Sequence, residues 1–192
     1  SCATISGALC SEQDGLSLAG ASTVATLMGL AEALRKRFAA TPEAKARGLS
    51  ARAFSSSSSG GRCEACEGRG IITVAMDLLP DVIVACESCG GRRFSEDVLA
   101  CRVDGRSITD LFDAPIRETM AWFENDRAPA GRLHALVDIG LGYLCLGQEG
   151  TTLSSGERQR LRLARLLVEP HASPMALLLD EPTRGLGFED VD

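Results

Sequence analysis

The sequence predicts an α/β protein, and three observations support this prediction. Apolar residues recur at helical spacing across residues 23–40. Two β-prone runs lie between a pair of Cys-x-x-Cys motifs in residues 63–89. A helical pattern over residues 154–168 precedes an apolar run at 175–179, which is typical of a strand buried on both faces. Helices and strands therefore share the chain with a cysteine-rich segment.

Composition narrows the class of protein. The chain has 192 residues, 45% of them hydrophobic, which suffices for one domain or two small ones with a buried core. A net charge of −6 argues against a uniformly basic coat, although an acidic body can carry a local basic patch. The sequence has no apolar run of about twenty residues and no secretion signal, so we expect no membrane span. Because the chain begins with Ser1 and ends without a stop signal, we expect a piece of a longer protein.

The elements before the cysteine segment are predicted to be helical. In residues 23–40 one helical face is apolar and consists of Val24, Leu27, Ala31, Leu34 and Phe38. Thr41 is the predicted N-cap of the next helix, with Pro42 at its first position and Gly48 at its end. The serine-rich residues 55–61 are expected to be a flexible link or a poorly formed strand.

Shorter elements are predicted after the cysteine segment. Residues 98–103 resemble a strand that ends in a turn at 104–105. Asp113 is a predicted N-cap, and the helix that it begins has an apolar face of Ile116, Met120 and Phe123. A further short helix is expected at residues 132–138.

The cysteine segment predicts a structural zinc site. Its four candidate ligands form two Cys-x-x-Cys pairs: Cys63, Cys66, Cys86 and Cys89. Zinc binds four thiolates in a tetrahedron at about 2.3 Å, and a hairpin of residues 71–76 and 82–85 would bring the pairs together. Since cysteine fills all four positions, we expect the Zn²⁺ to shape a surface rather than to catalyse. Two redox dithiols, or ordinary core cysteines, are the alternatives.

Other cysteines and nearby arginines carry weaker signals. The remaining cysteines are expected to be small buried hydrophobic residues: Cys2, Cys10, Cys101 and Cys145. Arginines flank the Cys-x-x-Cys pairs at Arg62, Arg69, Arg92 and Arg93. A basic rim on a zinc module can contact phosphates, or it can be simply solvated. A second group, Arg158, Arg162 and Arg165, is expected to be a solvated helix face.

The helix that begins near Ser154 predicts an anion site. Ser154 and Glu157 form an S-x-x-E capping box, and Gly156 allows a phosphate to approach the N–H groups at the helix start. The following apolar strand ends in Asp180 and Glu181. An Asp there can hold Mg²⁺ against nucleotide phosphates, and the adjacent Glu can orient the attacking water. A well-capped amphipathic helix followed by an acidic loop is the alternative.

Longer stretches of the sequence resemble a known family. The capped helix and the acidic strand look like the signature and Walker B motifs of an ATP-binding cassette. Further stretches resemble UvrA, the damage-sensing subunit of bacterial nucleotide excision repair: residues 41–48 (TPEAKARG), 60–66 (GGRCEAC), 138–148 (DIGLGYLCLGQ) and 179–191 (LDEPTRGLGFEDV). The order of zinc module, signature and Walker B is that of the second ATPase half of UvrA.

The resemblance implies a partial ATP-binding-cassette domain with a mostly helical insertion that carries a four-cysteine zinc hairpin. It implies four segments: a helical portion of the insertion at residues 1–62, a zinc module at 63–89, the remaining insertion at 90–152 and a cassette segment at 153–192.

The resemblance also implies roles for site residues. The signature would close over ATP held by another module and would consist of Ser154, Ser155, Gly156 and Glu157. Asp180 would serve Mg²⁺, and Glu181 would be catalytic. UvrA-type proteins are cytoplasmic excinuclease subunits of the SOS response that dimerise, bind double-stranded DNA and load a UvrB-type partner.

The sequence departs from the family pattern. Ser155 replaces a signature glycine, Arg184 a threonine and Gly187 a histidine. No G-x-x-x-x-G-K-[ST] loop occurs, so we expect no ATP hydrolysis by this chain alone. Two alternatives remain: a UvrA-like drug-resistance paralogue, and a DnaJ-like protein-binding module, whose Cys-x-x-Cys-x-Gly-x-Gly repeat matches residues 63–70.

Overall fold

The chain folds into two compact units that mix helices and short strands. The computed structural model describes residues 8–10, 22–76, 81–124, 126–168 and 176–178. The cysteine unit comprises Thr23–Pro115 and Cys145–Gln148. The helical unit comprises Ser1–Ser22, Ile116–Leu144 and Glu149–Asp192. The mixture of helices and strands agrees with the predicted class, whereas the predicted division into four segments stays a prediction.

The cysteine unit begins with three short helices: α1 (Val24–Leu27), α2 (Ala31–Ala39) and α3 (Pro42–Ala46). The single helix predicted at 23–40 is wrong, because Gly29 has a φ of 66° and a helix cannot continue through that conformation. Its predicted apolar face is buried nevertheless. The predicted cap is confirmed, since Thr41 Oγ1 accepts a hydrogen bond from the Ala44 N–H at 3.3 Å.

The serine run forms turns with close backbone contacts at Ser56 and Gly61, rather than a free link. A 3₁₀ helix at Ala51–Phe54 precedes it, and turns follow. A Cβ added to Gly61 would lie 1.9 Å from the carbonyl oxygen of Ala53, and one added to Gly68 would lie 1.8 Å from that of Ser56. Backbone therefore approaches backbone so closely that only glycine fits at these two positions.

The strand predicted at 98–103 is wrong, because helix α4 (Glu96–Ala100) occupies most of it. Glu96 and Asp97 lie in the first turn, where acidic side chains favour the helix dipole, and Val98 and Leu99 are buried. The predicted turn that follows is confirmed, with an antiparallel bridge between Val103 and Arg106.

Helix α5 (Ile108–Asp113) was not expected and begins with a capping box of Ser107 and Asp110. The prediction that Asp113 is an N-cap is wrong, because Asp113 ends this helix. The next helix is α6 (Ile116–Thr119), which continues as a 3₁₀ turn at Met120–Phe123.

Two longer helices, α7 (Arg127–Asp138) and α8 (Ser155–Val168), pack together in the helical unit. Their buried residues include Leu133 and Leu136 of α7, and Leu161 and Ala164 of α8. The helix predicted at 132–138 thus exists but begins earlier. No helix in the described portion of the chain is long and apolar enough to cross a membrane.

The described strands form two small sheets. Strands β2 (Ile71–Val74) and β3 (Val82–Ala85) pair antiparallel, which confirms the predicted hairpin. The predicted final strand is present as β4 (Ala176–Leu178) and pairs parallel with β1 (Ala8–Cys10), a strand that the sequence did not reveal. Because β1 and β4 come from opposite ends of the chain, long-range pairing joins the two ends.

Two glycine substitutions test this packing in opposite directions. We expect Gly61→Ala to destabilise the protein by about 1–3 kcal/mol or more, because the new methyl group meets backbone. Gly131→Ala is the matched control, since Gly131 lies within α7 with open space around it, and alanine there should stabilise by about 0.5–1 kcal/mol. Urea unfolding measures both changes. Equal stability of the two variants would contradict the packed conformation of the serine run.

Candidate metal centre and signature segment

The four predicted cysteine ligands converge on one point. Their sulfur atoms all lie within 4.8 Å of one another, and all four side chains are buried. The Sγ atoms of Cys63 and Cys86 are 3.9 Å apart, and those of Cys66 and Cys89 are 3.8 Å apart. A tetrahedron with metal–sulfur bonds of about 2.3 Å has sulfur–sulfur edges of about 3.8 Å. The cluster therefore has the dimensions of a four-thiolate metal site, whereas a disulfide would need about 2.05 Å.

Two similar turns hold these sulfurs. We call residues 63–70 the first knuckle and residues 86–93 the second knuckle. In the first, the Gly68 N–H donates to the Cys63 carbonyl at 3.1 Å, and in the second the Gly91 N–H donates to the Cys86 carbonyl at 3.2 Å. The two turns thus repeat the same backbone hydrogen bond.

Backbone N–H groups also point at sulfur. The Gly70 N–H donates to Cys66 Sγ at 3.2 Å, and the Arg93 N–H donates to Cys89 Sγ at 3.4 Å. Hydrogen bonds of this kind stabilise the thiolate form, which is the form that binds a metal.

The thiols differ in acidity. A backbone hydrogen bond from Cys66 lowers the pKa of the Cys63 thiol to about 7. Burial raises the pKa of Cys89 to about 11. Without a cation, the deprotonated cluster would place negative charges within a few ångströms of each other in a buried site. A divalent cation removes that repulsion, so the donor set suits a metal ion.

Arg93 is the structural exception in the second knuckle. Its φ is 71°, close to the 76° of Gly70 at the equivalent place in the first knuckle. Its guanidinium pairs with the Asp113 carboxylate and donates to the Gly147 carbonyl oxygen at 3.3 Å. An arginine therefore stands in a glycine conformation, where its side chain ties the second knuckle to two other segments of the cysteine unit.

The predicted basic rim divides into two kinds of arginine. Arg69 and Arg92 are exposed, and each Nε donates to the carbonyl of the second cysteine of its own knuckle, at 3.4 and 3.0 Å. Arg62 and Arg93 are half-buried. The rim that can meet a ligand is consequently Arg69 and Arg92.

The hairpin between the knuckles is apolar and open to solvent on both faces. Every residue of β2 and β3 is exposed, and Ile83 reaches 64%. Large exposed apolar areas of this kind mark interaction surfaces.

The predicted capping box at the start of α8 is confirmed. The Ser154 N–H donates to Glu157 Oε2 at 2.6 Å, and the Glu157 N–H donates to Ser154 Oγ at 3.2 Å. Ser155 is exposed and Gly156 is buried. Tyr143, for which no role was predicted from the sequence, donates its hydroxyl to Glu157 Oε1 at 2.6 Å. No local spacing rule could connect them, because the pair is 14 residues apart and meets only in the fold.

Other predicted residues have mixed outcomes. Asp180 and Glu181 lie outside the described residues, as do Arg184 and Gly187. Cys101 is buried as expected, whereas Cys145 is half-buried; the side chains of Cys2 and Cys10 are also outside the described residues. The expected solvated arginine face is half-buried: Arg158, Arg162 and Arg165.

Together, these features define a mixed α/β protein with a buried four-thiol cluster that suits a metal ion, an exposed hairpin and a capped helix start. The chain is 46% identical over 170 residues to UvrABC system protein A of Methanothermobacter thermautotrophicus. It is 47% identical over 170 residues to that of Streptomyces avermitilis. Both alignments cover 88% of this chain but only 18% and 17% of the relatives. No protein-family model matches the chain.

A solved structure gives the same result. The crystal structure of UvrA2 from Deinococcus radiodurans superposes with a TM-score of 0.83 at 39% identity. The superposition covers 97% of this chain and 22% of that one. The predicted resemblance is therefore confirmed: the chain is UvrA-like, and it spans about a fifth of the length of the UvrA proteins that it matches.

Two substitutions of Arg93 test the strained second knuckle. Both Arg93→Ala and Arg93→Gly remove the contacts with Asp113 and Gly147, but only glycine adopts a φ of 71° without penalty. We expect Arg93→Gly to be more stable than Arg93→Ala by about 1 kcal/mol in urea unfolding. The same pair of substitutions at Arg92, which lacks a positive φ, is the control and should favour alanine or show no difference. A more stable Arg93→Ala would contradict the left-handed conformation.

Proposed function

We propose that this chain is the zinc-bearing insertion and signature segment of a UvrA-type ATPase that recognises DNA damage in nucleotide excision repair. The observation that carries the proposal is the four-sulfur cluster, with sulfur–sulfur distances of 3.8 and 3.9 Å, in a chain that is UvrA-like along most of its length. We further propose that the full-length protein has an ATP-binding-cassette architecture and is cytoplasmic, and that this chain divides into the four segments predicted from its sequence.

The proposed metal is a structural Zn²⁺ held by Cys63, Cys66, Cys86 and Cys89. Four cysteine ligands leave no open position for a substrate, so the ion organises the two knuckles and the hairpin between them. Support comes from the convergence of the sulfurs and from the N–H groups directed at Cys66 and Cys89.

The proposed DNA-facing surface is formed by the exposed arginines of the knuckles and by the hairpin. Arg69 and Arg92 occupy equivalent places in the two knuckles, and their charges suit the phosphates of double-stranded DNA. The exposed apolar side chains of β2 and β3 suit contact with bases or sugars that a lesion has displaced. We also propose that the full-length UvrA-type protein dimerises and binds a UvrB-type partner.

The proposed nucleotide contact is the start of α8. Helix geometry leaves the first N–H groups without partners, so Ser155 and Gly156 can donate to phosphate oxygens of ATP bound to another module. Ser154 and Glu157 shape this segment. Asp180 would serve Mg²⁺ and Glu181 the hydrolytic water, and a Walker A loop from elsewhere is required for turnover.

The exposed hairpin also favours a second candidate, a zinc-dependent protein-binding module of DnaJ-like type. Seven large apolar side chains of the hairpin segments are exposed and would suit an unfolded client: Ile71, Ile72, Val74, Met76, Val82, Ile83 and Val84. Suppression of the aggregation of a denatured test protein, without binding to DNA, would favour this candidate.

Substitution of one cysteine tests the metal centre. We expect Cys86→Ser to lose stoichiometric Zn²⁺ and the thiolate-to-metal absorption band of the Co²⁺-substituted protein, because three sulfurs bind far less tightly than four. Cys145→Ser is the control and should retain both, since Cys145 lies outside the cluster. The zinc content and the Co²⁺ absorption band of the two purified variants measure these effects. A zinc-free unmodified protein, or full zinc in Cys86→Ser, would refute the site.

Charge reversal tests the DNA-facing surface. We expect Arg69→Glu with Arg92→Glu to weaken binding to lesion-containing duplex DNA by about tenfold or more and to reduce the salt slope by about two. Fluorescence anisotropy of the zinc-loaded chain measures this binding. The control, Arg102→Glu with Arg127→Glu, makes the same charge change at two exposed arginines that belong to neither knuckle. Equal affinities of the two double variants would count against the knuckles as the DNA surface.

A further inference from the structure

Tyr143 is an exposed aromatic residue in an otherwise buried turn. It follows α7 and lies between Leu141 and Leu144, both of which are buried. Its own side chain is 55% exposed, so its ring contributes little to the core. Its hydroxyl donates to Glu157 Oε1 at 2.6 Å.

The turn that carries Tyr143 is fixed on both sides. The Leu141 N–H donates to the Leu136 carbonyl at 2.8 Å, and the Ile116 N–H donates to the Leu144 carbonyl at 2.8 Å. The Arg117 N–H donates to the Gly142 carbonyl at 3.0 Å. Tyr143 consequently reaches Glu157 from a backbone with a defined position.

Glu157 is held at both carboxylate oxygens. Tyr143 binds Oε1, and the Ser154 N–H binds Oε2 at 2.6 Å. With the Glu157 N–H directed to Ser154 Oγ, the capping box accounts for two of the four N–H groups at the helix start. The other two belong to Ser155 and Gly156, and no carbonyl of their own helix can reach them.

We propose that Tyr143 is a positioning residue of the signature segment, which holds Glu157 so that the Ser155 and Gly156 N–H groups stay aligned for nucleotide phosphates. This inference rests on the proposed nucleotide contact. A capping carboxylate held at one oxygen only is free to rotate about its side-chain bonds, and the first turn of the helix then frays. The hydroxyl of Tyr143 removes that freedom.

The chain contains its own comparison. Helix α5 has a capping box of Ser107 and Asp110, made without a tyrosine, because Tyr143 is the single tyrosine of the sequence. Asp110 is therefore an internal control in the same protein for any effect of the tyrosine on a capping carboxylate.

The first measurement is the NMR titration of the Glu157 carboxyl group in the zinc-loaded chain, unmodified and with Tyr143→Phe, with the chemical shift of the Asp110 carboxyl carbon as the reference. The Tyr143 hydrogen bond is the largest cause of a lowered Glu157 pKa; Ser154 and Arg160 also lower it and remain in the variant. We expect the Glu157 pKa to rise in Tyr143→Phe, because the bond that favours the carboxylate is lost, while the chemical shift of the Asp110 carboxyl carbon at neutral pH is the same in both proteins. An unchanged Glu157 titration would overturn the inference.

The second measurement follows the Ser155 and Gly156 amide resonances as MgATP is added together with a cassette module that carries a Walker A loop, because the proposed contact is with ATP bound to another module. We expect Tyr143→Phe to weaken binding of this MgATP-loaded module about three- to tenfold, the effect of losing one hydrogen bond. Equal affinity in the two proteins would overturn the inference. If the amides of the unmodified chain do not respond to the loaded module, the nucleotide contact itself fails. A Glu157 titration that still depends on Tyr143 would then show that the failure lies in the function and not in the Tyr143–Glu157 contact.

Discussion

The convergence of four sulfur atoms within 4.8 Å is the constraint on which the cysteine unit depends. An isolated two-stranded hairpin is at best marginally stable in water, and the hairpin of β2 and β3 buries none of its own residues. Its two ends are joined instead through the knuckles, whose hydrogen bonds direct the sulfurs to a common centre. The cluster thus replaces a hydrophobic core, and it leaves the apolar side chains of the hairpin available for contact with a partner.

Arg93 shows how the second knuckle is joined to the rest of its unit. Gly70 occupies the equivalent place in the first knuckle, and the near-equal φ angles show that the turn itself favours glycine there. An arginine accepts a conformational penalty of about 1–3 kcal/mol at such a position. Its contacts with Asp113 and with the Gly147 carbonyl offset that penalty, and the side chain is less exposed than that of a free surface arginine. This arginine orients the knuckle, and its guanidinium is engaged within the cysteine unit.

The start of α8 is stabilised by one local interaction and one long-range interaction. The capping box is local, because Ser154 and Glu157 are three residues apart and satisfy each other's neighbouring N–H groups. The contact with Tyr143 is long-range and depends on the position of the turn after α7. The capping box suffices to begin a helix. The hydrogen bond from Tyr143 fixes the Glu157 carboxylate, which matters because this helix start is proposed to present N–H groups to phosphates.

Features governed by local chemistry could be predicted from the order of residues. The cysteine pairs, the hairpin, the cap at Thr41 and the box at Ser154 belong to this group, because spacing along the chain specifies them. The break at Gly29 is also local, because a glycine with positive φ ends α1 through hydrogen bonds to Ala25 and Thr26. Tertiary contacts instead set the helix in place of the strand predicted at 98–103, the contacts of Arg93 and the contact of Tyr143. Helix α4 could not be predicted because a short apolar run suits a helix or a strand equally. The contacts of Arg93 and Tyr143 could not be predicted because no spacing rule identifies a partner that is distant in the chain.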